Sequence, residues 1–176
     1  MIEDQRFAAA RPDVLVFESD VLKNDMTVTG RILADLFVRT TGTDADFVVK
    51  IIDVLPGNKF SPLHTPHGAA MAGFQRLVRA EVFRGKFRNG YEKPEPFIPN
   101  KISEIKFELN DIAHSFKKGH RIMLQVQSSW FPLVDINPQK FMRIPEANEN
   151  DFQKATIRIY HNQINSSKIT LPVLNK

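Results

Sequence analysis

The 176-residue chain contains no cysteine, which excludes disulfides and thiolate metal sites; a domain of this length needs no covalent staple, and the absence fits any compartment. It also lacks a long apolar run. Stretches such as Phe47-Val48-Val49 and Ile51-Ile52 are broken by charge within a few residues, whereas a membrane-crossing helix needs about twenty apolar residues in succession. No signal-peptide pattern opens the chain, and there is no internal repeat or low-complexity tract. Glycine never stands two positions before a serine. Ser19, Ser61, Ser103, Ser115, Ser128, Ser129, Ser166 and Ser167 all fail that test, so the strained Gly-x-Ser-x-Gly elbow that presents a hydrolase nucleophile cannot form here.

What the chain does contain is a period of two. With 42% hydrophobic and 25% charged residues it has the makings of one globular domain with one sizeable core. Ile32, Ala34, Leu36 and Val38 alternate with Leu33, Asp35, Phe37 and Arg39, and Phe47, Val49 and Ile51 with Val48, Lys50 and Ile52, so both faces are partly apolar. Further strands are expected at Asp13 to Phe17, Met26 to Thr29, Phe74 to Phe83, Ile102 to Leu109, Arg121 to Gln127, Thr156 to Tyr160 and Lys168 to Val173. Eight or nine strands with polar turns imply two packed sheets. Helix is confined to single turns at Asn110 to His114, opened by Asn-Asp, and at Glu146 to Phe152. Pro94, Pro96 and Pro99 make Tyr91 to Asn100 an extended crossover, because three residues lack a donor for a ladder.

The net charge of +4 raises the question of an acidic partner, with basic residues gathered at Arg76, Arg79, Arg84, Lys86 and Arg88 around Phe83, Phe87 and Tyr91. Strand alternation would place Leu77, Arg79, Glu81 and Phe83 on one face and Val78, Ala80 and Val82 on the other, leaving the charges solvated or paired with a neighbouring domain. No nucleic-acid motif accompanies the patch, so neither nucleic acid nor membrane is expected as a partner. Metal sites fare no better. His64 and His67 flank Pro66 with no carboxylate at ligand spacing, and His114 with His120 is similarly bare. Asp44 and Asp46 at a strand entry, like Asp135 and Asn137 around Pro138, suit Asx-type turns better than a calcium cage.

The most informative stretch is Asp111 to Phe141. Lys117-Lys118-Gly119 makes a turn with glycine at positive φ, Ile122, Leu124 and Val126 form one apolar strand face directed at a core, and Gln125 and Gln127 face the other way. Ser128-Ser129 ends the alternation, Trp130-Phe131 supplies an aromatic pair, and Pro132 and Asn137-Pro138 bar continuation. This run resembles the GHRI…Q-x-S-S-x-F-P-x-x-D-x-N-P signature of the C-terminal β-sandwich domain in the X-Pro dipeptidyl-peptidase, cocaine esterase and α-amino-acid ester hydrolase group of serine hydrolases. The resemblance extends from Asp4-Gln5-Arg6 and Arg11 to Phe17, through Thr43 to Phe47, Lys50 to Val54 and Ala80 to Arg88, to Arg158 to His161 and Ile169 to Val173. Ile136 departs from it, standing where the family usually has arginine.

That resemblance implies an all-β jelly-roll sandwich, galactose-binding-domain-like, with little helix. It implies a linker remnant over residues 1–12 and a single sandwich over 13–176, with Met1 starting an excised domain and any targeting sequence lying upstream. The expected partner is an upstream α/β-hydrolase domain of the same polypeptide, which would hold Ser, His and Asp; no catalytic residue, cofactor or metal is expected in this chain. His120, part of the signature, should make a structural hydrogen bond at a strand start. The connection from Pro56 to Gly73 is too long for an ordinary hairpin, and Phe60, Leu63 and Met71 give it apolar contacts suited to docking on the catalytic domain. Trp130 and Phe131 are candidates for the same interface or for the rim of the substrate pocket. An independent carbohydrate-binding module, using those aromatics, is the alternative function, and autonomous hydrolysis a third.

Overall fold

The computed structural model describes residues 4–57 and 71–174. Its regular elements are α1 (Arg6–Ala9), β1 (Val14–Glu18), β2 (Met26–Thr40), β3 (Asp46–Val54), β4 (Gln75–Arg84), β5 (Ser103–Phe116), β6 (Arg121–Gln127), β7 (Ile157–Tyr160) and β8 (Lys168–Thr170), with three short 3-10 turns between them. The strands build two antiparallel sheets. Sheet I has the order β1-β6-β3-β4 and sheet II the order β5-β2-β7, with β8 pairing β2 beyond β7.

Alternation decides which residues fill the space between the sheets. Phe47, Val49 and Ile51 of β3 face Ile32, Ala34, Leu36 and Val38 of β2, with Ile105, Leu109 and Phe116 of β5 completing a core in which each of these residues is almost fully buried. Phe97, from the proline-rich extended crossover, plugs one end of this core and meets Phe47 edge-on at 6.3 Å. Arg88 lies over the outer side of the Phe97 ring at 4.5 Å and donates to the carbonyls of Glu95 and Pro96, so one basic residue of the suspected patch is occupied inside the domain.

Three local expectations are corrected. Asn110-Asp111 opens no helical turn. β5 runs unbroken to Phe116 along β2, and the extra residue is absorbed as a bulge where the register slips between Gly30 and Ile32. Gly30, at φ +111, supplies the backbone shape that the bulge needs, and Met26 to Thr29 therefore joins Ile32 to Val38 in a single strand. In β4 a second register shift opposite Ile51-Ile52 reverses the alternation, so Val78 packs on the core in place of Leu77.

The signature strand β6 sits as its pattern requires. Val126 is buried in the core, Ile122 and Leu124 pack against it, and Gln125 and Gln127 face the opposite side of sheet I, where they are buried as well. Gly119, at φ +88, makes the turn that precedes it.

Candidate interdomain face

The far side of sheet I is where the sequence fails to look like a solvated surface. Val48, Lys50 and Ile52 of β3 point that way, and all are essentially inaccessible. Part of the cover is the N-terminal segment. Asp4 forms a bridge with Arg76, Gln5 donates its N–H to the Gln75 carbonyl at 2.9 Å, and Asp4 accepts from the Gln75 N–H at 3.3 Å. This places α1 over the sheet, with Ala8 buried and Phe7 half exposed.

Under that cover Lys50 donates through Nζ to Gln5 Oε1 at 3.0 Å, and the ammonium lies 4.5 Å from the centre of the Trp130 ring and 5.9 Å from that of Phe7. Gln125 Nε2 donates to the Gln5 carbonyl at 3.4 Å. Among the described residues no carboxylate lies within 4.0 Å of Lys50 Nζ. Burial, with Arg11 nearby, pulls the Lys50 pKa down to about 8. The aromatic rings and one amide oxygen thus replace water around a cation that has no counter-ion there.

The sequence-derived candidates divide around this cluster. Trp130 is buried against Lys50, whereas its neighbour Phe131 is 63% exposed, with Leu133 also open. Met71 is half buried and accepts from the Phe74 N–H. Phe60 and Leu63 lie outside the described residues, as do His64 and His67. The two ends of their connection meet, since Leu55 donates to Phe74 and Gly73 to Pro56. Lys50, Gln5 and Gln125 were not singled out in the sequence; the available signal was a lone lysine in the otherwise apolar run Phe47 to Ile52.

One end of the sandwich carries a second polar cluster. Asn137 of the signature is buried and donates through Nδ2 to Asp46 Oδ1 at 2.8 Å while accepting from the Gln139 N–H at 2.8 Å. Gln139, at φ +63, turns its carbonyl to the N–H groups of Thr43 and Asp44. Asp44 accepts from the N–H of the next residue, Ala45, and lies 3.6 Å from Lys86, while the Asx turn expected in this region is the one from Asn137 to Gln139; Arg84 lies 3.7 Å from Asp46. Burial raises both carboxyls, Asp46 to about 6, with Asn137 and Arg84 opposing the rise. Arg84 and Lys86 thus find their carboxylates within the domain. Ile136, at the position where arginine is usual, is partly exposed.

Near the other end, His120 Nδ1 and His114 Nε2 lie 2.7 and 3.0 Å from the two oxygens of the buried Asp53. His120 therefore makes the expected structural hydrogen bond at the entry to β6. Among the described residues, no three histidine, aspartate or glutamate side chains converge as a metal site.

Comparison with known proteins agrees with this architecture. The cocaine esterase of Rhodococcus sp. (strain MB1 Bresler) is 31% identical over 173 residues, covering 98% of this chain and 28% of its own. The crystal structure of an aminopeptidase from a marine sediment Thaumarchaeota archaeon superposes with a TM-score of 0.90 at 40% identity, covering 99% of this chain and 28% of that one. An α-amino acid ester hydrolase gives 0.89 at 39% identity, covering 98% and 27%. The chain thus spans little more than a quarter of the length of these relatives. The profile of the X-Pro dipeptidyl-peptidase C-terminal non-catalytic domain matches residues 2–170, and the chain belongs to that family.

Proposed function

We propose that this domain serves a serine hydrolase whose α/β-hydrolase catalytic domain lies upstream in the same polypeptide and cleaves esters or amides through an acyl-enzyme, with Ser, His and Asp all outside the present chain. In this reading residues 1–12 lead from the catalytic domain and residues 13–176 form the sandwich. The outer side of sheet I, with Met71, Trp130 and Phe131 and the connection holding Phe60 and Leu63, bears on the catalytic domain and shapes the mouth of its pocket. The observation that carries the proposal is the covered Lys50–Trp130–Gln5 cluster. It is closed by the N-terminal segment, the part of the chain nearest the proposed catalytic domain, and Phe7, Phe131 and Leu133 stand exposed nearby or next in sequence. Covering such apolar area contributes about 25 cal/mol per Å².

The carbohydrate alternative loses half of its platform, because stacking needs open rings and Trp130 is turned inward over Lys50, leaving Phe131 as the exposed member of the pair. The test compares the isolated chain with the parent polypeptide. The chain alone should cleave p-nitrophenyl esters and X-Pro amides no faster than a heat-denatured control, and the parent should turn over one of them. Phe131→Asp should lower the melting temperature and activity of the parent while leaving the melting of the isolated chain unchanged. Turnover by the isolated chain that a serine-directed inhibitor abolishes would refute the assignment.

A further inference from the structure

The two faces of β7 have different neighbours. Inward, Ile159 joins Phe17, Leu36, Leu124, Val126 and Ile169 along an open apolar seam, a cavity of about 220 Å³ between β1 and the edge formed by β7 and β8. Outward, Arg158 and Tyr160 lie on the side of sheet II that faces away from the core, because Ile157 and Ile159 take the inward positions. This is the opposite side of the sandwich from the Lys50 cluster.

Along most of β2 the charges on this face are matched. Arg31 lies 3.1 Å from Glu108, Asp35 lies 3.9 Å from Lys106 and 3.7 Å from Lys168, and Lys106 reaches Glu104 at 2.8 Å. Arg39 breaks the pattern. Its cross-strand partner is Arg158, so two guanidinium side chains rise from directly opposite positions, their Cβ atoms about 5 Å apart. Like charges in that relation oppose strand pairing. Among the described residues neither guanidinium has an ion pair or a hydrogen bond. The surrounding chain supplies no counter-charge. Residues 36–43, 96–103 and 152–167 meet at this end of sheet II, the second held by the Asn100 N–H on the Thr40 carbonyl at 2.8 Å and the third by the Thr41 N–H on the Thr156 carbonyl at 3.1 Å. Together they carry Arg39, Lys101, Lys154 and Arg158 and no aspartate or glutamate. Arg84, Lys86 and Arg88 are occupied within the domain, whereas this part of the basic surplus stands open. Beside the arginine pair, Phe37 is opposite Tyr160 on the same face, both half-buried, and the Tyr160 hydroxyl makes no hydrogen bond among the described residues.

We propose that Arg39 and Arg158 bind a dianionic aryl phosphate, a monoester whose phosphoryl oxygens are shared by the two guanidiniums while its ring lies along Phe37 and Tyr160. Charge selects the class. One bidentate arginine satisfies a carboxylate and would leave the second cation uncompensated, whereas a phosphate monoester brings a charge of about −2 at neutral pH and three acceptor oxygens for two planar forks. The Tyr160 hydroxyl adds a donor on the same face, and the two rings offer flat apolar surface to the organic part.

Isothermal titration of this chain with phenyl phosphate just above neutral pH and at low ionic strength should show one saturable site that added salt weakens. Phenyl sulfate has the same shape and a single charge, and should bind at least about tenfold more weakly. Arg39→Gln and Arg158→Gln should each weaken phenyl phosphate at least about tenfold and bring it level with the sulfate. Arg39→Glu should abolish binding and, by setting a carboxylate opposite Arg158, raise the melting temperature of the ligand-free chain, which separates lost binding from lost folding. The parent polypeptide should bind phenyl phosphate as this chain does. Absence of saturable binding by the wild type, equal affinity for the sulfate, glutamine variants that bind like the wild type, or a parent whose catalytic domain has placed its own carboxylate on the pair and excludes the ligand would each overturn the proposal. The site and the interdomain contact lie on opposite sides of the sandwich, so either can fail alone.

Discussion

Lys50→Met is the substitution whose outcome reads most directly on the physics of sheet I. The lysine pKa falls from 10.5 to about 8, which corresponds to about 3 kcal/mol of penalty against the charged form at neutral pH. Methionine has similar length and no charge, so it relieves that penalty. It also gives up the hydrogen bond to Gln5 and the cation–ring contacts, about 1 kcal/mol each. The balance favours methionine by about 1 kcal/mol, in line with the behaviour of buried charges replaced by apolar residues. The pH dependence supplies a sharper signature. Because the folded-state pKa is depressed, the unfolded chain holds more protons between about 8 and 10.5, so the wild-type protein gains stability as pH rises through that window. Urea denaturation of both proteins across the window should show the methionine variant more stable at neutral pH, its advantage gone within about one pH unit above 8, and the wild type the more stable by about 2 kcal/mol at the upper end. A variant that is less stable at neutral pH, together with a constant gap across the window, would refute the account of Lys50 as an uncompensated buried cation.

Asp46 should behave in the opposite sense. Its folded pKa is raised from 3.8 to about 6, so the folded state holds the extra proton and the wild type loses stability as pH rises through that interval; against Asp46→Asn the loss should amount to about 3 kcal/mol by chemical denaturation. Within the core, Ile51→Ala should cost about 3 kcal/mol, whereas Leu124→Ala, beside the open seam, should cost about half as much, and equal shifts in denaturation midpoint would contradict the placement of the seam. A methyl group on Gly42 would press into the Gln139 carbonyl, so Gly42→Ala should dismantle the Asn137 turn and cost at least about 2 kcal/mol, visible as a drop in melting temperature. Hydrogen exchange over residues 56–73 should be fast in the isolated chain and slow in the parent polypeptide; equal protection in both would remove that connection from the interdomain contact.

The sequence alone determined the strand content and most of its boundaries, because a period of two with β-branched and aromatic residues has few other solutions. It also determined the family, since the spacing from Gly119 to Pro138 is set by a turn, a strand and a second turn that must each be satisfied locally. Tertiary structure decided the rest. The bulges opposite Gly30 and at Val78 depend on which strand lies alongside, and Asn110-Asp111 is as good a helix cap as it is a bulge until β2 is known to run past it. Whether Lys50 and Gln125 meet water or rings depends on where the N-terminal segment crosses sheet I, some forty-five residues away from Lys50 in sequence. The sequence marks alternation but not which alternate face is covered, because covering is a property of the neighbours a strand acquires and not of the strand.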